Sequence, residues 1–107
     1  MDARTTAARL GELVIVDVRE AHEWDAGHIE GARHLPLSQL EELHGDVPED
    51  DEVVFVCRVG GRSATVRDWF RRQGYEADDL EGGMLAWADA GLPIVTDAGT
   101  PGIVADH

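Results

Sequence analysis

The sequence lacks several features that common classes of protein require. Its single cysteine, Cys57, excludes a disulfide within the chain and a Cys-x-x-Cys redox pair. Lysine is absent, so all nine basic residues are arginine, and 22 acidic residues bring the net charge to −13. An acidic chain of this kind argues against binding to nucleic acid or to an anionic membrane.

Membrane-spanning and metal-binding patterns are also missing. No apolar run reaches the length of a membrane span, and the N-terminus, which carries Asp2, has no apolar core of a signal peptide. These absences predict a cytoplasmic protein. No metal-ligand spacing connects His22, His34, His44 and His107, so we expect no zinc site and no cofactor.

The positive charge that is present lies in one part of the chain. The 107 residues suit one compact domain. Within it, residues 58–72 hold five arginines and one acidic residue, a local charge of +4 that leaves −17 for the remainder. The basic charge is therefore concentrated where an anionic substrate would need it.

The start of this basic stretch predicts a nucleophilic site. Residues 57–63 read CRVGGRS, after a buried strand over Val53–Val56 and before a segment with helical periodicity. The two glycines let the loop turn its N–H groups inward, which makes a concavity that binds anions. A cysteine held there, beside a helix N-terminus and two guanidinium groups, should ionise more readily. The alternative is a buried core cysteine, which would need neither the glycines nor the arginines.

The remaining pattern alternates helices and strands, which predicts an α/β domain with a mostly parallel sheet. Ligands of such sheets bind at the carboxyl ends of strands, where Cys57 falls. We expect helices over 3–12, 20–26, 63–73 and 84–90, and another beginning at the capping-box pattern Ser38 to Glu41. Strands are expected over 13–18, 33–35, 53–56 and 75–80, and Trp24 should pack inward. From Thr96 onward the composition predicts a loosely held tail.

Several motifs resemble those of the rhodanese family, in the family's order, between about residues 13 and 94. They are Asp17-Val18-Arg19, Gly27 to Ala32 (GHIEGA), Cys57 to Ser63, Glu81-Gly82-Gly83 with Trp87, and Gly91-Leu92-Pro93. The resemblance implies a single rhodanese-like domain, which we place over residues 1–95, with a mostly parallel sheet flanked by helices on both faces. The family pattern gives no guidance beyond it, and residues 96–107 are assigned to a C-terminal tail from their composition alone. The resemblance also implies a sulfurtransferase. Its cysteine takes a sulfane sulfur from a donor such as thiosulfate, becomes a persulfide and passes the sulfur to a thiol or cyanide.

Roles follow for the residues of this site. Cys57 is the predicted nucleophile and persulfide carrier. The predicted substrate-binding residues are Arg58, Val59, Gly60, Gly61, Arg62 and Ser63, and the supporting residues are Asp17, Arg19 and Glu81.

Some of these roles have structural alternatives. Arg62 is as well suited to fixing the loop as to binding the donor, and Ser63 is better suited to capping the helix. For Asp17 and Arg19 an ion pair that fastens loops is favoured over a catalytic role. His28 is expected to be structural, because sulfite leaves thiosulfate without needing a proton.

Two other functions compete with sulfur transfer. Phosphatases and arsenate reductases with a related fold also use a cysteine thiolate, in a loop that resembles Cys, five residues, then Arg. Here only four residues separate Cys57 from Arg62, which narrows the loop and favours a single sulfur over a tetrahedral oxyanion. A non-catalytic binding or sulfur-relay module is the second alternative. The retained cysteine and arginines favour catalysis.

Overall fold

The computed structural model describes residues 1–105 and contains one parallel sheet of four strands in the order β2-β1-β3-β4. The strands are β1 (Val14–Asp17), β2 (Arg33–His34), β3 (Val53–Val56) and β4 (Ala77–Asp79), and each neighbouring pair runs parallel. Five α-helices surround them: α1 (Ala3–Ala8), α2 (Ala21–Ala26), α3 (Leu40–Leu43), α4 (Gly61–Arg72) and α5 (Gly83–Asp89). Short 3₁₀ turns over Leu37–Gln39 and His44–Asp46 flank α3. The predicted α/β class is confirmed.

The centre of the sheet is β3, whose four side chains are all fully buried. Successive side chains of a strand point to opposite faces, so an unbroken apolar strand needs cover on both. On one face Phe55 packs with Phe70 of α4, their ring centroids 4.7 Å apart. On the other face Val54 and Val56 pack with residues of α1 and α5, among them Trp87. This two-sided core fixes the end of β3, where Cys57 follows.

The helix expected from Ser38 begins later and is capped differently. Ser38 lies in a 3₁₀ turn that follows Pro36, and its hydroxyl donates to the Glu20 carboxylate at 3.1 Å. With that hydroxyl engaged across the chain, α3 begins at Leu40 without a side-chain cap. The capping box that does form is on α2. The Glu20 side chain accepts the backbone N–H of Glu23, and the Glu23 side chain accepts the backbone N–H of Glu20. The Ser38 capping prediction is wrong.

Smaller differences concern element ends and one aromatic residue. Helix α1 ends at Ala8 instead of residue 12, α4 begins two residues earlier than predicted, and β4 is limited to three residues. Trp24 was expected inside but is only half-buried. It stacks on the imidazole of His28 at 3.6 Å and on that of His34 at 4.7 Å. These polar ring partners hold the indole at the surface.

The segment after residue 95 is hydrogen-bonded in its described part, so the expectation of a loosely held tail is wrong there. Gly102 N–H donates to the Ile94 carbonyl at 2.8 Å, and Ile103 N–H donates to the Ala26 carbonyl at 2.9 Å. A Cβ on Gly102 would lie 2.7 Å from the Cα of Gly27, so the close approach of these backbones depends on glycine. The boundary drawn at residue 95 stays a prediction. Across residues 1–105, no helix is both long and apolar enough to cross a membrane.

Candidate active site

Cys57 lies directly after β3 and its residue is 1% exposed. The sulfur accepts hydrogen bonds from the backbone N–H of Gly60 at 3.0 Å and of Ser63 at 3.4 Å. The Ser63 hydroxyl oxygen lies 3.4 Å from the same sulfur. The loop therefore curls around the sulfur and presents N–H dipoles to it, which stabilises negative charge at that atom.

Gly60 provides the turn that makes this curl possible. Its φ of +106° lies in the left-handed region, which a side chain disfavours by about 1–2 kcal/mol. Gly60 is also the residue before α4, so the first turn of that helix begins inside the loop. Ser63, predicted to cap the helix, instead lies in its first turn, and its hydroxyl donates to the Gly60 carbonyl at 3.3 Å.

Backbone hydrogen bonds connect the start of α5 to the first two carbonyls of the active-site loop. Met84 N–H donates to the Cys57 carbonyl at 2.8 Å, and Leu85 N–H donates to the Arg58 carbonyl at 3.1 Å. A Cβ on Gly83 would overlap the Cys57 carbonyl oxygen, so glycine is required for this approach. With both carbonyls directed toward α5, the N–H groups that follow in the loop are left for the sulfur.

Arg62 forms a two-point ion pair with Glu23 of α2. Its Nη1 and Nη2 donate to the two carboxylate oxygens at 2.9 and 3.0 Å. The hydrogen bonds that Arg62 donates to Glu23 raise the pKa of Arg62. Burial alone would raise the pKa of Glu23, but the hydrogen bonds and charge of Arg62 outweigh burial and hold it below its ordinary value. The pair fastens the loop to α2 through Arg62, and the donor-binding role of Arg62 stays a prediction.

The sequence analysis did not identify Glu23, although it is 1% exposed and reaches the active-site loop through Arg62. Thirty-nine positions separate the two residues. The one local signal is the three-residue spacing from Glu20, which matches a capping box and by itself indicates only a helix start.

Asp17 and Arg19 form the predicted ion pair at the end of β1. Arg19 Nη2 lies 2.8 Å from an Asp17 carboxylate oxygen, and both side chains are buried. The same Nη2 donates to the Gly27 carbonyl at 2.7 Å, so the pair fastens the turn after α2 to the end of β1. The Nη1 of Arg19 is buried and has no hydrogen-bond partner among residues 1–105.

Three other predicted site residues are Arg58 and Val59, which follow Cys57 in the loop, and Glu81, which lies shortly after β4. Arg58 is partly buried, and its Nε donates to the Ala105 carbonyl at 3.3 Å. Val59 is 51% exposed. The Glu81 carboxylate lies 3.5 Å from the amino group of Met1 and is largely exposed, so the structure directs it to the N-terminus. Its supporting role at the site stays a prediction.

His28, His34 and His44 each lie within hydrogen-bond distance of a backbone carbonyl oxygen. His28 Nδ1 lies 2.9 Å from the Trp24 carbonyl oxygen, in keeping with the structural role expected of it. Within residues 1–105 no group of histidine, cysteine and acidic side chains is arranged to hold a metal ion; His107 lies outside that range. A cavity of about 220 Å³ is lined by Leu10, Ile29 and Trp87 among others, and no loop residue reaches it.

Together, the parallel sheet, the buried cysteine at the end of its central strand and the N–H-lined loop define a class: α/β domains that present a cysteine sulfur in an anion-binding loop. Residues 2–90 match the family described as Rhodanese-like domain. The chain belongs to this family, whose related members are named sulfurtransferases.

Individual relatives agree in length and fold. A sulfurtransferase of Allochromatium vinosum is 35% identical over 103 residues, which cover 92% of this chain and 96% of that protein. A putative sulfurtransferase of Bacillus subtilis is 40% identical over 71% of this chain and 74% of its own length. A rhodanese-related crystal structure from Thermoplasma volcanium superposes with a TM-score of 0.88, at 28% identity, over 91% of this chain and 97% of that one.

Proposed function

We propose that the protein transfers a sulfane sulfur from thiosulfate, or a similar small donor, to a thiol or cyanide through a persulfide on Cys57. The observation that carries this proposal is the contact of the Cys57 sulfur with the N–H groups of Gly60 and Ser63. Such donors act on an anionic sulfur both before and after it accepts a second sulfur atom. The family match supports sulfur transfer, and the choice of thiosulfate is our inference.

The first half-reaction is a displacement at sulfur. The Cys57 thiolate attacks the outer sulfur of thiosulfate and forms a new S–S bond. The S–S bond of thiosulfate breaks, and sulfite leaves with the electron pair. No proton is required for this leaving group, so the site needs no general acid, which agrees with His28 being engaged by the Trp24 carbonyl.

The loop N–H groups then stabilise the terminal sulfur of the persulfide. Because the charge moves outward by one sulfur atom and does not disappear, fixed dipoles serve the reactant and the product alike. Arg58 and Arg62 supply positive charge near the incoming dianion. We assign Arg58 to direct donor contact, since it directly follows Cys57 and is partly exposed, whereas both Nη atoms of Arg62 are bonded to Glu23.

The second half-reaction needs an external acceptor. Cys57 is the only cysteine, so no resolving thiol exists within the chain. An acceptor thiolate or cyanide attacks the terminal sulfur, its new bond to sulfur forms as the S–S bond breaks, and the Cys57 thiolate is restored. The products are a persulfide of the acceptor or thiocyanate.

The test is the intact mass of the protein after incubation with thiosulfate, beside the Cys57→Ser variant. The proposal expects a gain of one sulfur atom that cyanide removes and that the variant does not show. A gain with a persulfide donor but not with thiosulfate would retain the mechanism and reject the donor. Absence of a gain with thiosulfate, mercaptopyruvate and persulfide donors would refute sulfur transfer.

A further inference from the structure

The ion pair between Glu23 and Arg62 connects α2 to the active-site loop. Glu23 is itself held in place. Its side chain also accepts the Glu20 N–H, at 3.3 Å, and only 1% of that side chain is exposed. Parallel two-point hydrogen bonds of this kind define both the position and the orientation of a guanidinium group. Arg62 is therefore oriented by a residue on another helix.

We propose that Glu23 is a positioning residue of the active site, which fixes the orientation of the Arg62 guanidinium and moderates its charge at Cys57. Arg62 then acts on the sulfur through space, and the anionic donor is gripped by the loop N–H groups and Arg58. The effect on sulfur transfer rests on the proposed function. The effect on the reactivity of the thiol does not.

The electrostatic part of the proposal follows from the charges around Arg62. Its positive charge interacts with the sulfur of Cys57 and with Asp17, in addition to Glu23. If the carboxylate of Glu23 becomes an amide, Arg62 keeps its charge while the negative charge of Glu23 beside it is removed. The thiolate then faces a stronger positive field, because an opposite charge nearby favours the ionised form.

The other charged groups near the loop have partners of their own. Asp17 and Arg19, at the end of β1, are paired with each other. Glu81, which follows β4, lies against the amino group of Met1. Arg58 contacts the Ala105 carbonyl. Of the acidic groups described at the site, Glu23 is the one bonded to a loop arginine.

A purely structural role is the alternative, and the chain supplies a matched control for it. Asp79 of β4 is paired with Arg67, which lies on the same helix as Arg62. The exposed fractions of the two side chains are 8% and 25%, close to the 1% and 27% of Glu23 and Arg62. Each acid thus fastens α4 to a different element. Only one of the two arginines belongs to the loop.

The experiment measures the rate at which iodoacetamide alkylates Cys57 in the full chain at pH 6.5 and pH 9. For Glu23→Gln we expect a rise of about threefold at pH 6.5, because the more positive surroundings favour the thiolate that iodoacetamide attacks. At pH 9, where more of the thiol is ionised, the rates should converge. Asp79→Asn should leave both rates unchanged.

A double variant tests whether Glu23 acts through Arg62 and also guards against misfolding. Glu23→Gln combined with Arg62→Gln removes both charges of this ion pair, which avoids leaving the buried carboxylate or its guanidinium partner to face the other's loss. Its alkylation at pH 6.5 should be slower than that of the wild-type protein, because the positive charge near the sulfur is gone. The single and double variants should thus change the rate in opposite directions.

Some results would overturn the proposal. It fails if folded Glu23→Gln alkylates at the wild-type rate, or if single and double variants change the rate in the same direction. It also fails if Asp79→Asn reproduces the effect. If Glu23→Gln does not fold, an unchanged rate in the double variant alone would reject the proposal.

The same variants separate this inference from the proposed function. With thiosulfate as donor, Glu23→Gln should lower KM at least twofold, since a negative charge that repels the dianion is removed from beside the loop, while Asp79→Asn leaves KM unchanged. A protein that forms no persulfide but shows the alkylation changes would refute sulfur transfer and retain the positioning role. Persulfide formation without the alkylation changes would support sulfur transfer and reject the positioning role of Glu23.

Discussion

Gly83 offers the sharpest test of how the active-site loop is held. It combines a φ of +60° with a position against the carbonyls of Cys57 and Arg58. In Gly83→Ala, the added Cβ would lie 2.5 Å from the Arg58 carbonyl oxygen and nearer still to that of Cys57. Backbone atoms cannot rotate out of the way as a flexible side chain does. The start of α5 must therefore move away from the loop.

The size of the effect follows from three contributions. The left-handed conformation costs an alanine about 1–2 kcal/mol. Overpacking adds about 1–3 kcal/mol. Separation of α5 from the loop weakens the Met84 and Leu85 hydrogen bonds to the two carbonyls, at about 1 kcal/mol each. We expect a total loss of about 4–7 kcal/mol in the free energy of unfolding, a large share of the roughly 5–15 kcal/mol typical of a domain.

Gly91 is the matched control, because it separates strain from steric contact. Its φ is +73°, but a Cβ there would meet nothing within 4 Å. Gly91→Ala should therefore lose only the conformational contribution, about 1–2 kcal/mol. Urea unfolding of both variants measures the difference, which we expect to be at least about 3 kcal/mol. Equal losses in the two variants would refute the claim that Gly83 is required by the loop carbonyls.

Three further predictions concern other parts of the molecule. Because Arg62 holds the pKa of Glu23 below its ordinary value, the pair stabilises the fold fully above the unfolded-state pKa and progressively less as pH falls through the folded-state pKa. Melting temperatures between pH 7 and pH 3 should thus fall more steeply for the wild-type protein than for Glu23→Gln, and parallel curves would contradict this. Phe70→Ala, which empties a fully buried site against Phe55, should cost about 3–5 kcal/mol by urea unfolding, and a loss below about 1 kcal/mol would contradict the packing described. Gly102→Val should displace the segment from Gly27 and abolish hydrogen-exchange protection at the Ile103 amide, while retained protection would show that the backbones can separate without loss of that bond.

The parts of the fold that could be predicted are those governed by neighbours in sequence. The apolar run of β3, the glycines after Cys57 and the helical periodicity beyond them define strand, loop and helix within twenty residues. Their order along the chain was enough to place Cys57 at the carboxyl end of the central strand, as the structure has it.

The parts that could not be predicted depend on contacts between distant residues. The pairing of Glu23 with Arg62 requires α2 and α4 to meet, which no local pattern specifies. The segment after residue 95 is held by backbone groups, and backbone hydrogen bonds leave little trace in side-chain composition. Glycine was interpreted there as a sign of looseness. At Gly102 its lack of a side chain permits tight contact instead.

The burial of β3 bears on how long a sulfur atom bound to Cys57 would survive. Central strands exchange their amide hydrogens only when the whole domain opens, whereas surface segments open locally and often. The carbonyl of Cys57 is bonded to α5, and the preceding residue, Val56, pairs with β1, so the base of the loop belongs to the slowly exchanging part. Loss of bound sulfur through spontaneous opening should then follow the rate of global unfolding, and any perturbation that lowers that rate lengthens the lifetime of the loaded protein.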